Sequence, residues 1–94
     1  MKRIVFAASA RRDFAALVLR VAEESGVDAA ARISLELQER IELLQTSPLM
    51  GHKGVLPTTR EVVFDNLIVV YVVKDASIDV TRIWHAKQKR PFKR

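Results

Sequence analysis

Six residues carry side chains that could do chemistry together: Arg60, Tyr71, Arg82, His85, Lys87 and Gln88. Arginines hold phosphate oxygens through planar donor forks. An imidazole that titrates near neutrality moves a proton. A base, an acid and cations for a charged transition state are the parts needed to cleave RNA through its own 2′-hydroxyl. The same residues also have a purely structural reading. Arg82 then pairs with Glu61 across a sheet, Tyr71 fills a strand, and His85 sits at a strand end without catalysing anything. Other chemistries have less behind them. His52 and His85 are the two histidines, there is no cysteine, and no matched acid cluster accompanies them, so neither a metal site nor a cofactor is expected. No serine lies in a Gly-x-Ser-x-Gly turn.

The elements that must position these groups lie in the last third of the chain. Arg60–Phe64, Leu67–Val73 and Ile78–His85 are β-branched and aromatic runs, broken by Asp65-Asn66 and by Lys74–Ser77. Asp-Asn is a tight-hairpin signal, because both residues tolerate positive φ. The expectation is a three-stranded antiparallel meander. In the last strand Ile78, Val80, Arg82 and Trp84 alternate with Asp79, Thr81, Ile83 and His85, so neither face is uniformly apolar. That predicts either a bulge or an outer face used for interaction.

Upstream, Lys2–Ala7 is a short strand that runs into a helix, with Ser9 as its N-cap. The apolar start superficially suggests a leader peptide, but Arg11-Arg12-Asp13 interrupts it at once. Ala10, Phe14, Leu17, Val18 and Val21 make one helical face, and Gly26 ends the helix. Asp28 caps a second helix with the stripe Ala30, Ile33, Leu37, Ile41 and Leu44. Glu36 and Arg40 stand four apart on its polar side, and Ser47-Pro48 stops it. The short link Ser25–Val27 makes the two helices an antiparallel hairpin. Pro48–Thr59 is a loop rich in glycine and proline, ordered by its composition. The fold class is therefore α+β, in the order β-α-α-β-β-β. A helical hairpin packs on one face of an antiparallel sheet, and the first strand is free to join either edge.

At 94 residues the chain is one domain, 1–94, with a basic tail from about residue 86 to 94. Its net charge of +5 points to an acidic partner, whether nucleic acid, a ribosome or an acidic protein, the plainer reading being a generic basic surface. From Arg82 onward the basic residues Arg82, Lys87, Lys89, Arg90, Lys93 and Arg94 are joined by no acid. Trp84 and Phe92 among these cations suit a nucleic acid or an acidic peptide in a groove. No apolar run reaches the ~18 residues of a membrane span, and a chain without cysteine fits a reducing cytoplasm.

Five short pieces, in this order, resemble toxins of the RelE/ParE superfamily, the toxic half of type II toxin–antitoxin modules. They are Ser9-Ala10-x-x-Asp13, Ser47-Pro48-x-x-Gly51, Pro57-x-x-Arg60-Glu61-Val62, Ile68-Val69-Val70-Tyr71 and Arg82-Ile83-Trp84-His85-Ala86-x-Gln88. The resemblance spans nearly the whole chain. It implies a growth inhibitor held inactive by a cognate antitoxin, encoded by an adjacent gene, whose C-terminal segment wraps the toxin in a hetero-oligomer. RelE-like members resemble ribosome-dependent endoribonucleases that cut mRNA, and in that branch Arg60, Arg82 and His85 would be the catalytic set. ParE-like members act on DNA gyrase and are not enzymes. Before Arg60 this chain offers only Lys53, no tyrosine follows Trp84, and the helical hairpin is long and simple, which favours the ParE-like branch. There Arg60 and Arg82 hold the sheet or the antitoxin. Lys53, Tyr71, Trp84, Lys87, Gln88, Lys89 and Arg90 are the candidates for binding target or antitoxin. Two further readings are an inactive toxin homologue that only binds an antitoxin, and a small RNA-binding module.

Overall fold

The computed structural model describes residues 1–86. In chain order the elements are β1 (Arg3–Phe6), α1 (Ala8–Ser25), α2 (Val27–Glu42) with a 3₁₀ turn at Leu43–Gln45, β2 (His52–Lys53), β3 (Thr59–Phe64), β4 (Leu67–Val73) and β5 (Ser77–His85). They build a five-stranded sheet in the order β1-β5-β4-β3-β2. The expected meander is present, with β3 antiparallel to β4 and β4 antiparallel to β5. The sheet differs from the expectation in two ways. The first strand lies parallel to β5, so the sheet is mixed. A two-residue strand inside the Pro48–Thr59 loop also pairs with β3.

Both helical stripes face the sheet. Ala10, Leu37, Ile41 and Leu44 form one buried cluster with Val62, Phe64, Leu67, Val69, Tyr71, Ile78, Val80 and Ile83. Phe14, Leu17 and Ile33 pack against its margin. The sheet residues of this cluster follow from register. Val62 is opposite Val69, Phe64 opposite Leu67, Tyr71 opposite Val80, and Val69 opposite Ile83. Val80 and Ile83 can share a face only because the register shifts between Val70 and Tyr71, which leaves Thr81 as an extra residue in β5. This bulge resolves the parity conflict in the last strand.

The caps differ from the sequence reading. Ala7 occupies the N-cap of α1 without a side-chain hydrogen bond, and Ser9 lies inside the helix. Gly26, at φ 94°, is both the C-cap of α1 and the N-cap of α2. Asp28 sits in the first turn of α2, where its charge complements the helix dipole. Arg40 turns its guanidinium over the Phe64 ring, 5.4 Å from the centroid. In the Asp65-Asn66 hairpin turn, Asp65 alone takes positive φ, at 54°.

Candidate functional site

Two arginine-centred clusters contain three of the six residues singled out by type, Arg60, Tyr71 and Arg82. The first lies on the edge of β5. β1 covers this edge only as far as Val80. Beyond it the backbone groups of β5 face α1, and α1 answers them with side chains four residues apart on one side of the helix. Ser9 Oγ donates to the Thr81 carbonyl at 2.7 Å. Asp13 Oδ2 accepts from the Ile83 N–H at 2.9 Å and from Arg82 Nε at 2.8 Å. Asp13 Oδ1 accepts from Arg82 Nη2 at 3.1 Å. This two-point bond to Asp13 raises the Arg82 pKa further, so the guanidinium stays charged. Its central carbon lies 3.9 Å from the centroid of the Trp84 ring. Arg82 therefore pairs with Asp13, and the expected pairing with Glu61 gives way to it.

The second cluster ties the loop after α2 to the sheet. The Tyr71 hydroxyl donates to the Pro48 carbonyl at 2.8 Å and accepts from the Gly51 N–H at 3.0 Å. Arg60 Nη1 donates to the Gly51 carbonyl at 2.7 Å. Position 51 admits only glycine, because a Cβ there would lie 2.6 Å from the Glu61 carbonyl oxygen and 2.8 Å from the Tyr71 hydroxyl. Burial raises the Tyr71 pKa, and the Gly51 N–H and the Arg60 charge offset only part of that. Tyr71 is buried, so it holds the loop and offers no surface to a ligand.

These clusters keep Arg60 and Tyr71 apart from Arg82 and His85. Arg60 stands opposite Tyr71, which stands opposite Val80. His85 stands opposite Leu67, four residues further along β4. Four residues of strand are roughly 13 Å. Arg60 also shares the helix-facing side with Tyr71, whereas Arg82 is opposite Val70 on the other side. The expected meeting of Arg60 with Arg82 and His85 does not occur. His85 borders a shallow recess lined by Asp13, Leu17, Arg20, Ile83 and Trp84. Lys53 is exposed on β2, opposite Arg60. Lys87, Gln88, Lys89 and Arg90 lie outside the described residues.

Reading by residue type gave Asp13 no contact, made Ser9 a cap, and gave Glu61 to Arg82. The signal for the first two was their spacing of four on a helix with no cap to make. Glu61 is a buried carboxylate in a strand, with His52 Nε2 at 3.7 Å. Among the described residues, no group of three or more histidine, aspartate or glutamate side chains could hold a metal ion. No described helix is long and apolar enough to cross a membrane.

Comparison with known proteins gives these positions a context. Residues 4–90 match the family described as ParE toxin of type II toxin-antitoxin system, parDE. Toxin RelE1 of Caulobacter vibrioides is 33% identical over 91 residues, which cover 93% of this chain and 96% of that protein. Among solved structures, a chain of the chromosomal ParDE toxin–antitoxin system from P. aeruginosa superposes with a TM-score of 0.84 at 19% identity, covering 93% of this chain and 98% of its own. A chain of the intact E. coli RelBE toxin–antitoxin complex does so at 0.66 and 14% identity, covering 94% and 100%.

Proposed function

Since the chain belongs to the ParE toxin family of type II toxin–antitoxin systems, we propose that it is a growth inhibitor of the ParE-like kind, acting on DNA gyrase and cutting no RNA. The observation that carries this reading is the engagement of both arginines. A nuclease needs cations free to meet a phosphate as its charge develops. Arg60 is bound to the Gly51 carbonyl, and Arg82 is held at two points by Asp13. His85 is roughly 13 Å along the sheet from the Arg60 position. A pre-organised phosphoryl site would bring these groups together. The higher TM-score with the ParDE chain than with the RelBE chain points the same way.

The partner is a cognate antitoxin, as in the ParDE, RelBE and DinJ-YafQ assemblies whose toxins share this fold. The net charge of +5 suits an acidic antitoxin segment. In this reading the chain is one toxin domain of the cytoplasm, where gyrase and the antitoxin are met.

Toxin freed from its antitoxin tests the target directly. It is added to gyrase with supercoiled plasmid and, separately, to a purified translation system. Trapped double-strand breaks or lost supercoiling, with intact mRNA, is the expected result. Cut mRNA with normal gyrase would overturn the reading in favour of the ribosome-dependent nuclease. His85→Ala would then have to abolish toxicity while antitoxin binding persists.

A further inference from the structure

The helix α1 carries a second stripe, on the side away from the sheet. Ala10, Phe14 and Leu17 pack into the core. Half a turn round, Arg12, Ala15, Ala16, Leu19 and Glu23 are all exposed, Leu19 by 61%. Their spacings of three and four follow one line along the helix, as the seam of a helix pair does. The line has a bare leucine near its middle, two alanines that let another backbone come close, and a charge at each end.

The order of those charges is unfavourable for the helix alone. A helix dipole favours acids in the first turn and bases in the last. In α1 the first turn holds no acid and the last turn no base. Arg11 and Arg12 stand near its start instead, and Glu23 and Glu24 near its end. The rest of the chain does not compensate: among the described residues, Arg12 and Glu23 enter no ion pair. The seam is neutral, one arginine against one glutamate, on a chain of net charge +5. A uniformly acidic partner suits the charge of the chain but not that of this face. A second copy of the same helix, laid antiparallel, complements it at both ends.

We propose that the free chain pairs with a second copy of itself through the outward face of α1, the two helices lying antiparallel about a two-fold axis. Such an interface is self-complementary, so each contact occurs twice. Arg12 and Glu23 are eleven residues apart, roughly 16 Å along the helix. Antiparallel alignment brings each Arg12 to the Glu23 of the other copy, and each Leu19 over the other copy's Ala16. With alanines at the crossing the helix axes approach to about 8 Å, the close end of the range for packed helices. One helix on one helix buries less than the ~800 Å² per partner of a standard interface, so the dimer is weak, with a Kd on the order of 10 μM. Both arginine clusters are undisturbed, because Ser9 and Asp13 leave α1 towards β5 and not towards this face.

Sedimentation of the isolated full-length chain, from about 1 to 300 μM, tests this. A reversible monomer–dimer equilibrium is the expected result, and a chain that stays monomeric throughout overturns the proposal. Arg12→Glu and Glu23→Arg each set like charges across the seam. Each should weaken self-association about tenfold or more, while circular dichroism shows the fold intact. Combined in one chain, the two changes restore opposite charges and should restore the dimer. Mixed as two single variants, they should form a heterodimer, in which every arginine again meets a glutamate. Leu19→Ala, at an exposed position, should loosen the dimer about tenfold. A dimer indifferent to all three substitutions would place the contact on another face and refute the assignment. Weakened antitoxin binding by Leu19→Ala, in a chain that shows no dimer, would give this face to the antitoxin and overturn self-pairing.

Discussion

The two arginine clusters do similar work with different forces. At Gly51 a phenol and a guanidinium reach backbone groups, in a buried site where the fit is steric. At Asp13 a carboxylate gathers a guanidinium and a strand N–H at a half-exposed edge, and the bond is ionic. The first cluster should therefore respond to volume and to the loss of a single hydroxyl, and scarcely to salt. The second should respond to charge and be screened. Six residues of the short pieces that carry the resemblance, Ser9, Asp13, Gly51, Arg60, Tyr71 and Arg82, fall into these two clusters. Their joint presence in the chain is first a requirement of folding.

The largest effect expected from breaking this contrast is at Gly51. Gly51→Ala forces a methyl against the Glu61 backbone, which cannot yield as a side-chain tip can. About 3 kcal/mol of stability should be lost in denaturant titration. A change below about 0.5 kcal/mol would mean that the loop shifts freely and the clamp is not rigid.

Tyr71→Phe comes next. It leaves the Gly51 N–H and the Pro48 carbonyl without their partner in a buried place, at a cost of about 2 kcal/mol. A second measurement uses the same residue, the sole tyrosine. Its pKa is raised in the fold, so its contribution is fully present below the ordinary phenol value near pH ~10 and is lost as pH rises through the folded value. Phenolate absorbance in the native protein should appear at higher pH than in the unfolded chain. Coincident titrations would place the hydroxyl in water.

Asp13→Ala should cost less, about 1–2 kcal/mol, because the pair is partly exposed and its Coulomb term is weakened by solvent. Repeating the comparison with Tyr71→Phe in 1 M salt sharpens the contrast. The Asp13 effect should shrink and the Tyr71 effect should hold. Equal salt dependence would show that the two clusters do not differ in kind.

Much of this was legible before any coordinates. The stripes at spacings of three and four, the three β runs and the Asp-Asn turn dictate the hairpin and meander, because each element's local preference agrees with its burial. Two features were hidden for stated reasons. The edge chosen by the first strand depends on its pairing with Ser77–Val80 of β5, which is a contact between distant residues. The Thr81 bulge announced itself only as a parity conflict, since a single extra residue leaves no compositional trace. The engagement of the two arginines was not legible, because residue type cannot tell a guanidinium open to phosphate from one already bound. Arg60 and Arg82 look alike in sequence, and the partners that occupy them are a glycine carbonyl nine residues away and a helix carboxylate 69 away.

The smallest effect concerns a third polar contact, at the β4–β5 turn. Asp79 Oδ2 lies 2.8 Å from Lys74 Nζ, and its Oδ1 accepts from Ser77 Oγ at 2.7 Å. These bonds, led by the one from Lys74, hold its pKa below the usual carboxylate range. A depressed carboxyl contributes stability that is present above its unfolded value and lost as pH falls through the folded one. Wild type and Asp79→Asn should therefore differ slightly near neutrality and converge below about pH 4. The contact is ionic like that of Asp13 but open to solvent, so burial is what separates them. An Asp79→Asn effect as large as that of Asp13→Ala, or one that persists in acid, would show that position along the sheet decides the strength of these contacts, and solvent exposure does not.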